Sequence, residues 1–360
     1  MTAQPHSMAG SGMYPGQPPQ TMPGRPDAIA PIAPPSTSWV PEKDGHSSAP
    51  PPAYSQAVGN WDGRSRPGPS PFNIAAREGD FNEIKRLIAN GENMFATGEI
   101  GQTPAYSAAV TGHTEILEYL IQHGADYTAG NEDGFTPLNA AATKNFPEAL
   151  LLLLHYGADP NAPTVDGQTP VYSAALAGNL RTVQILVEHG ANFSQCRSER
   201  GFTPICAAAG EGHAHIVQYL ASQGADLTLV TEHGVTPLRA AAAEGHPEVV
   251  SILLQHGASV FTSCNEGYTP LICAAVEGHV EVMKILLQNG APIDTPCKDG
   301  NTPLLYGASR GHTEIVRLLI QYGADVHHGA NNDTSPAATA AFRGHFRTAG
   351  LLLKQGCCLG

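Results

Sequence analysis

A Thr-Pro or Ser-Pro dipeptide returns at a fixed interval from Ser70 onward: at Ser70, Thr103, Thr136, Thr169, Thr203, Thr236, Thr269, Thr302 and Ser335. Every step is 33 residues except the 34 between Thr169 and Thr203. Ala-Ala follows five and six positions later in each unit except one, where Gly307 breaks the pair. Glycine stands nine positions after the Thr or Ser in each unit except one, where Asn145 replaces it. A further glycine stands 21 positions after it in all nine units, from Gly91 to Gly356. A period of this length means one supersecondary unit copied along the chain, each copy burying its apolar face on its neighbours. Such a chain builds a stack, not a closed globule around a central sheet.

Each repeated residue has a physical task. Thr or Ser is a good N-cap, because its side-chain oxygen accepts an orphan helix N–H, and Pro at the next position forfeits no hydrogen bond. The Ala pair keeps the first helix thin, so adjacent units approach closely. The first Gly suits a left-handed residue after the helix, a conformation that Asn145 also tolerates. A second helix follows, with Pro147 and Pro247 near its start and an aliphatic stripe such as Ile116, Leu117, Leu120 and Ile121. The second Gly ends it, and about ten residues lead to the next Thr-Pro.

A 33-residue unit with Gly-x-Thr-Pro-Leu, as at Gly234-Val235-Thr236-Pro237-Leu238, together with Ala-Ala, Gly-His and Gly-Ala-Asp, resembles the ankyrin repeat. The resemblance covers residues 67–360 and implies an all-α solenoid of nine helix-turn-helix repeats with β-fingers. Boundaries fall at about 67–99, 100–132, 133–165, 166–199, 200–232, 233–265, 266–298, 299–331 and 332–360. Departures gather at the ends: Ser70 and Ser335 for Thr, Asp80 for the usual His, and Gly350, which is expected to interrupt the last helix. The resemblance further implies a non-enzymatic interaction scaffold or adaptor that holds a partner protein with its finger tips and inner helices, on a concave side. Some stand-alone ankyrin chains act as transcription coregulators or regulatory subunits, which is the alternative reading.

Composition separates a different segment. Half of the 30 prolines and both tryptophans, Trp39 and Trp61, precede Ser70. Proline-rich sequence without periodic apolar residues cannot recover its ordering entropy by burial, so residues 1–66 are expected to form a disordered tail. The charges there cancel, leaving the repeats the whole net charge of −13. An acidic chain lacks the basic face that nucleic acid demands. The longest aliphatic run, residues 149–154, is far short of a membrane span, and no secretory signal pattern opens the sequence. Seven cysteines without metal-ligand spacing fit a reducing compartment, so a cytoplasmic or nuclear location is expected, with no cofactor.

The residues that suggest chemistry fall into the same register. His113, His213, His246, His279, His312 and His345 all follow the interhelix Gly, which predicts one repeated structural hydrogen bond and no metal site. His327-His328 lacks a third ligand at useful spacing. Cys206 and Cys273 fall one register apart on first helices, so they are expected to be small core residues that share no face. No nucleophile elbow or phosphate loop is present, and catalysis is not expected. Cys357-Cys358-Leu359-Gly360 lacks the final residue of a prenylation box and is expected to be a frayed end, with an apolar rim at Leu351, Leu352 and Leu353.

Recognition should fall where the frame varies. The residue before each Thr is Gln102, Phe135, Gln168, Phe202, Val235, Tyr268 or Asn301. Phe135, Phe202 and Tyr268 recur in alternate units, about 20 Å apart for helices stacked at about 10 Å. They are expected either to anchor a partner or to pack on their own fingers. Acidic residues surround them: Glu99, Glu132, Asp133, Asp166, Glu199, Glu232, Glu266 and Asp299, which favour a basic or amphipathic partner. The long step adds a residue to 191–200, with Arg197 and Arg200 as a basic spot. In the tail, Pro51, Pro52 and Tyr54 form a Pro-Pro-x-Tyr motif that resembles a WW-domain ligand, which would make the chain a ubiquitin-ligase adaptor.

Overall fold

The computed structural model describes residues 70–98, 100–194, 201–328 and 334–358; among them are eighteen α-helices and no strand. The helices come as nine consecutive pairs. The first three are α1 (Pro71–Glu78) with α2 (Phe81–Ala89), α3 (Pro104–Thr111) with α4 (Thr114–Gln122), and α5 (Pro137–Lys144) with α6 (Pro147–His155). Next are α7 (Pro170–Leu176) with α8 (Leu180–Glu188), α9 (Pro204–Gly210) with α10 (Ala214–Ser222), and α11 (Pro237–Glu244) with α12 (Pro247–Gln255). Last are α13 (Pro270–Glu277) with α14 (Val280–Gln288), α15 (Pro303–Arg310) with α16 (Thr313–Gln321), and α17 (Pro336–Phe342) with α18 (Phe346–Lys354).

The caps work as the sequence requires. In all nine first helices the Ser or Thr hydroxyl accepts the backbone N–H three residues on, as Thr236 does from Arg239 at 3.2 Å, with Pro opening the helix. Asn145, with φ 60°, is the one non-glycine residue at positive φ among the described residues. Odd-numbered helices pack on one another along an inner row, and even-numbered helices form a looser outer row. The Ala pairs cause the difference, because a methyl side chain lets two helix axes approach where Leu or Ile holds them apart.

The main core lies between the rows. Ala141, Ala142, Ala241 and Ala242 meet Leu150, Leu153, Val250 and Leu253, all buried. Each such leucine contributes about 1.5–3 kcal/mol by leaving water. Gly307, the break in the Ala ladder, follows from this packing: a Cβ there would lie 3.0 Å from Ile315 Cγ2.

Between units the chain forms short fingers, and these are hairpin turns too short to count as strands. Among the described residues each is closed by a bond such as Thr164 N–H to Gln168 O (2.9 Å), Thr231 to Val235 (3.1 Å) or Cys297 to Asn301 (3.0 Å). Neighbouring fingers are tied by one backbone bond: Glu132 N–H to Ile100 O, Val165 to Asp133, Asn265 to His233, and Lys298 to Glu266.

Two expectations at the C-terminus are corrected. Gly350 does not interrupt the last helix; α18 runs through it, since one glycine costs about 1 kcal/mol, less than the packing of Ala349 and Leu352 provides. Nor is the end frayed at Cys357, which is buried and whose N–H reaches Leu352 O at 3.2 Å. Of the three leucines expected to form an apolar rim, Leu352 is buried, Leu351 is half-buried and Leu353 is exposed.

Candidate partner-binding face

The inner helices and the described fingers that lead into them carry the candidate site. The seven variable residues before each Thr divide sharply along it. Gln102, Phe135 and Gln168 are half-buried. Phe202, Val235, Tyr268 and Asn301 are buried, Phe202 at 5% and Tyr268 at 6% exposure. Of the two outcomes expected for the rings, Phe202 and Tyr268 therefore take the packed one, and Phe135 stays half-buried.

The cause lies in the neighbouring helix positions. Phe202 and Val235 join Tyr172, Cys206, Ala207 and Ala240 in a second apolar cluster, separate from the main core and built from fingers and inner helices alone. The small residues at 207 and 240 leave room for the finger side chain to fold down. Farther along, Tyr306 fills that room, and its hydroxyl organises the site: Tyr268 Oη lies 2.7 Å away, and Asn301 Nδ2 donates to it at 3.5 Å. Burial pushes both phenols above the usual tyrosine range.

The acidic residues lie above this floor. Glu132, Asp133, Asp166, Glu232, Glu266 and Asp299 are all exposed on the fingers. Glu266 meets a basic residue of the next finger, Lys298, at 3.8 Å, a solvent-exposed contact of little strength. Exposed Glu244 and Glu277 and half-buried Glu211 add acidic groups at the ends of the inner helices. Glu99, Glu199, Arg197 and Arg200 lie outside the described residues, as do Pro51, Pro52 and Tyr54.

The histidines hold the units together. The ring Nε2–H of His213, His246, His279 and His312 donates to the carbonyl of Leu176, Gly210, Ala243 and Val276, each in the preceding unit, at 2.7–3.1 Å. Where the sequence has Asn179 instead, its Nδ2 donates to Ala142 and Thr143 carbonyls. His327 and His328 are exposed, and no metal-binding group of His, Cys, Asp or Glu occurs among the described residues.

A family model described as ankyrin repeats (3 copies) matches residues 72–164, 161–231, 223–297 and 289–360. The chain belongs to the ankyrin-repeat family. The crystal structure of the human ASB11 ankyrin repeat domain is similar at 26% identity and a TM-score of 0.57, over 62% of this chain and 99% of that one. No curated protein sequence matches significantly. Ankyrin repeats generally mediate protein–protein interactions, and the fold is typically non-catalytic. No helix among the described residues is long and apolar enough to cross a membrane.

One feature of this ankyrin face escaped the sequence reading. Arg239, on α11, is 8% exposed and is the one charged side chain among the buried described residues. Cys273 on α13, Cys264 on the intervening finger and Cys206 on α9 act on it. Both cysteines of the inner helices thus act on one guanidinium. Burial pushes the Cys273 thiol up, against the pull of Arg239. The signal was available: in Thr236-Pro237-Leu238-Arg239 the charge replaces the His of the family pattern.

Proposed function

We propose that this chain is a non-enzymatic scaffold that holds a basic or amphipathic segment of another protein along its fingers and inner helices. The carrying observation is the acidic finger row, exposed on the same face as Phe135, Gln102 and Gln168. Acidic groups in a row steer a cationic segment and repel nucleic acid. Buried Phe202 and Tyr268 set the floor beneath that segment and do not anchor it directly.

The test is affinity capture with the full chain, comparing wild type with Asp133→Lys, Asp166→Lys, Glu232→Lys and with Phe135→Ala. Charge reversal is expected to abolish the captured set at low salt and leave helix content intact. The same set captured by every variant would refute the reading. The Pro-Pro-Ala-Tyr motif supports a second reading, an adaptor for WW-domain proteins. It is tested by binding a WW domain to wild type and Tyr54→Ala, where equal binding refutes it.

A further inference from the structure

Arg239 is buried without a counter-charge. Its Nε and Nη1 have no hydrogen-bond partner, and no ion pair among the described residues includes it. The groups acting most strongly on it are the thiols of Cys273, Cys264 and Cys206, and thiols are largely protonated at neutral pH. An uncompensated buried guanidinium is costly, and its planar fork matches a carboxylate in two parallel hydrogen bonds. Arg239 itself stands on an inner helix, and these three thiols come from inner helices and a finger, the elements along which the proposed partner segment runs.

We infer that Arg239 receives a carboxylate carried by that partner segment. The inference rests on the proposed scaffold reading and specifies its ligand chemistry. The partner would then carry one acidic side chain flanked by basic ones. The carboxylate pairs with Arg239, and the flanking cations face exposed Glu232 on one finger and exposed Glu277 at the end of α13. Asn139 Nδ2 and Ser173 Oγ are likewise buried without a partner, both on inner helices. The buried side-chain atoms without a partner among the described residues therefore all fall in the inner row, and all can donate.

The experiment measures binding of two capped peptides to the full chain by calorimetry: Lys-Leu-Lys-Glu-Lys-Leu-Lys and its twin with Gln at the centre. Wild type is expected to bind the Glu peptide about 10-fold more tightly. Arg239→Met keeps the volume of the stem, and should equalise the two peptides without weakening the Gln peptide. Equal binding of both peptides to wild type overturns the inference and leaves the acidic-finger reading standing. A preference that persists in Arg239→Met also overturns it. Binding of neither peptide counts against both readings. In a separate arm, inorganic phosphate is compared with chloride at equal ionic strength. If phosphate raises the melting midpoint of wild type alone while the peptides bind equally, the site takes a free anion, and the partner assignment fails.

Discussion

Gly245 ends α11 at φ 78°, and a Cβ built there would lie 2.5 Å from Cε1 and Nδ1 of the His279 ring in the next unit. That ring is held by its bond to Ala243 O at 3.0 Å. Gly245→Ala therefore acts twice. The left-handed backbone costs a non-glycine residue about 1–2 kcal/mol, and displacing the ring forfeits a hydrogen bond of about 1 kcal/mol. The expected loss is about 2–3 kcal/mol. His279→Ala alone removes the bond and strands a carbonyl, at about 1–2 kcal/mol. In the double variant the new methyl has no ring to strike, so the total should fall short of the sum by about 1 kcal/mol, within the range measured for residues in contact. Urea unfolding followed by far-UV circular dichroism gives the four stabilities. Hydrogen exchange should place the loss in α11 to α14, because units of a stack touch only their neighbours. Gly245→Asn separates the effects, since Asn145 already occupies this conformation at φ 60°. Strict additivity of the double variant would refute the reasoning, because methyl and ring would then never meet.

Phe202→Ala, a buried change, should cost about 3–5 kcal/mol, whereas half-buried Phe135→Ala should cost much less; equal losses in urea would contradict the buried floor. Gly350→Ala should stabilise the chain by about 0.5–1 kcal/mol, since a Cβ there meets nothing within 4 Å; a lower melting midpoint would mean that α18 does not run through this position. The folded chain holds the Tyr268 and Tyr306 protons more tightly than the unfolded chain, because burial raises both. Stability should therefore not depend on these groups below pH of about 10 and should fall above it. Tyr306→Phe should weaken that alkaline slope, and an unchanged slope would count against the buried hydroxyl pair.

The frame was legible because it repeats: nine Thr/Ser-Pro steps, Ala pairs and glycines each state the same local requirement, and the structure meets it at Thr236, Asn145 and His279 alike. What varies between units was harder to read. Whether the residue before Thr stays at the surface depends on the side chains around the pocket below it, and those belong to other units. Phe202 goes down into a cluster with Tyr172 and Ala240 and Tyr268 goes down against Tyr306, groupings that no single period contains. Cys206 and Cys273 fall one register apart along their helices, yet both act on Arg239, whose long side chain stands on the helix between them. At Gly350, propensity named a break that packing of Ala349 and Leu352 overrode.

Fingers joined by a single backbone bond, above inner helices in close contact and outer helices held more loosely, give the molecule the mechanics of a leaf spring. Such a stack bends most easily about its alanine seam, and the flexure is shared among many units, because each unit touches only its neighbours.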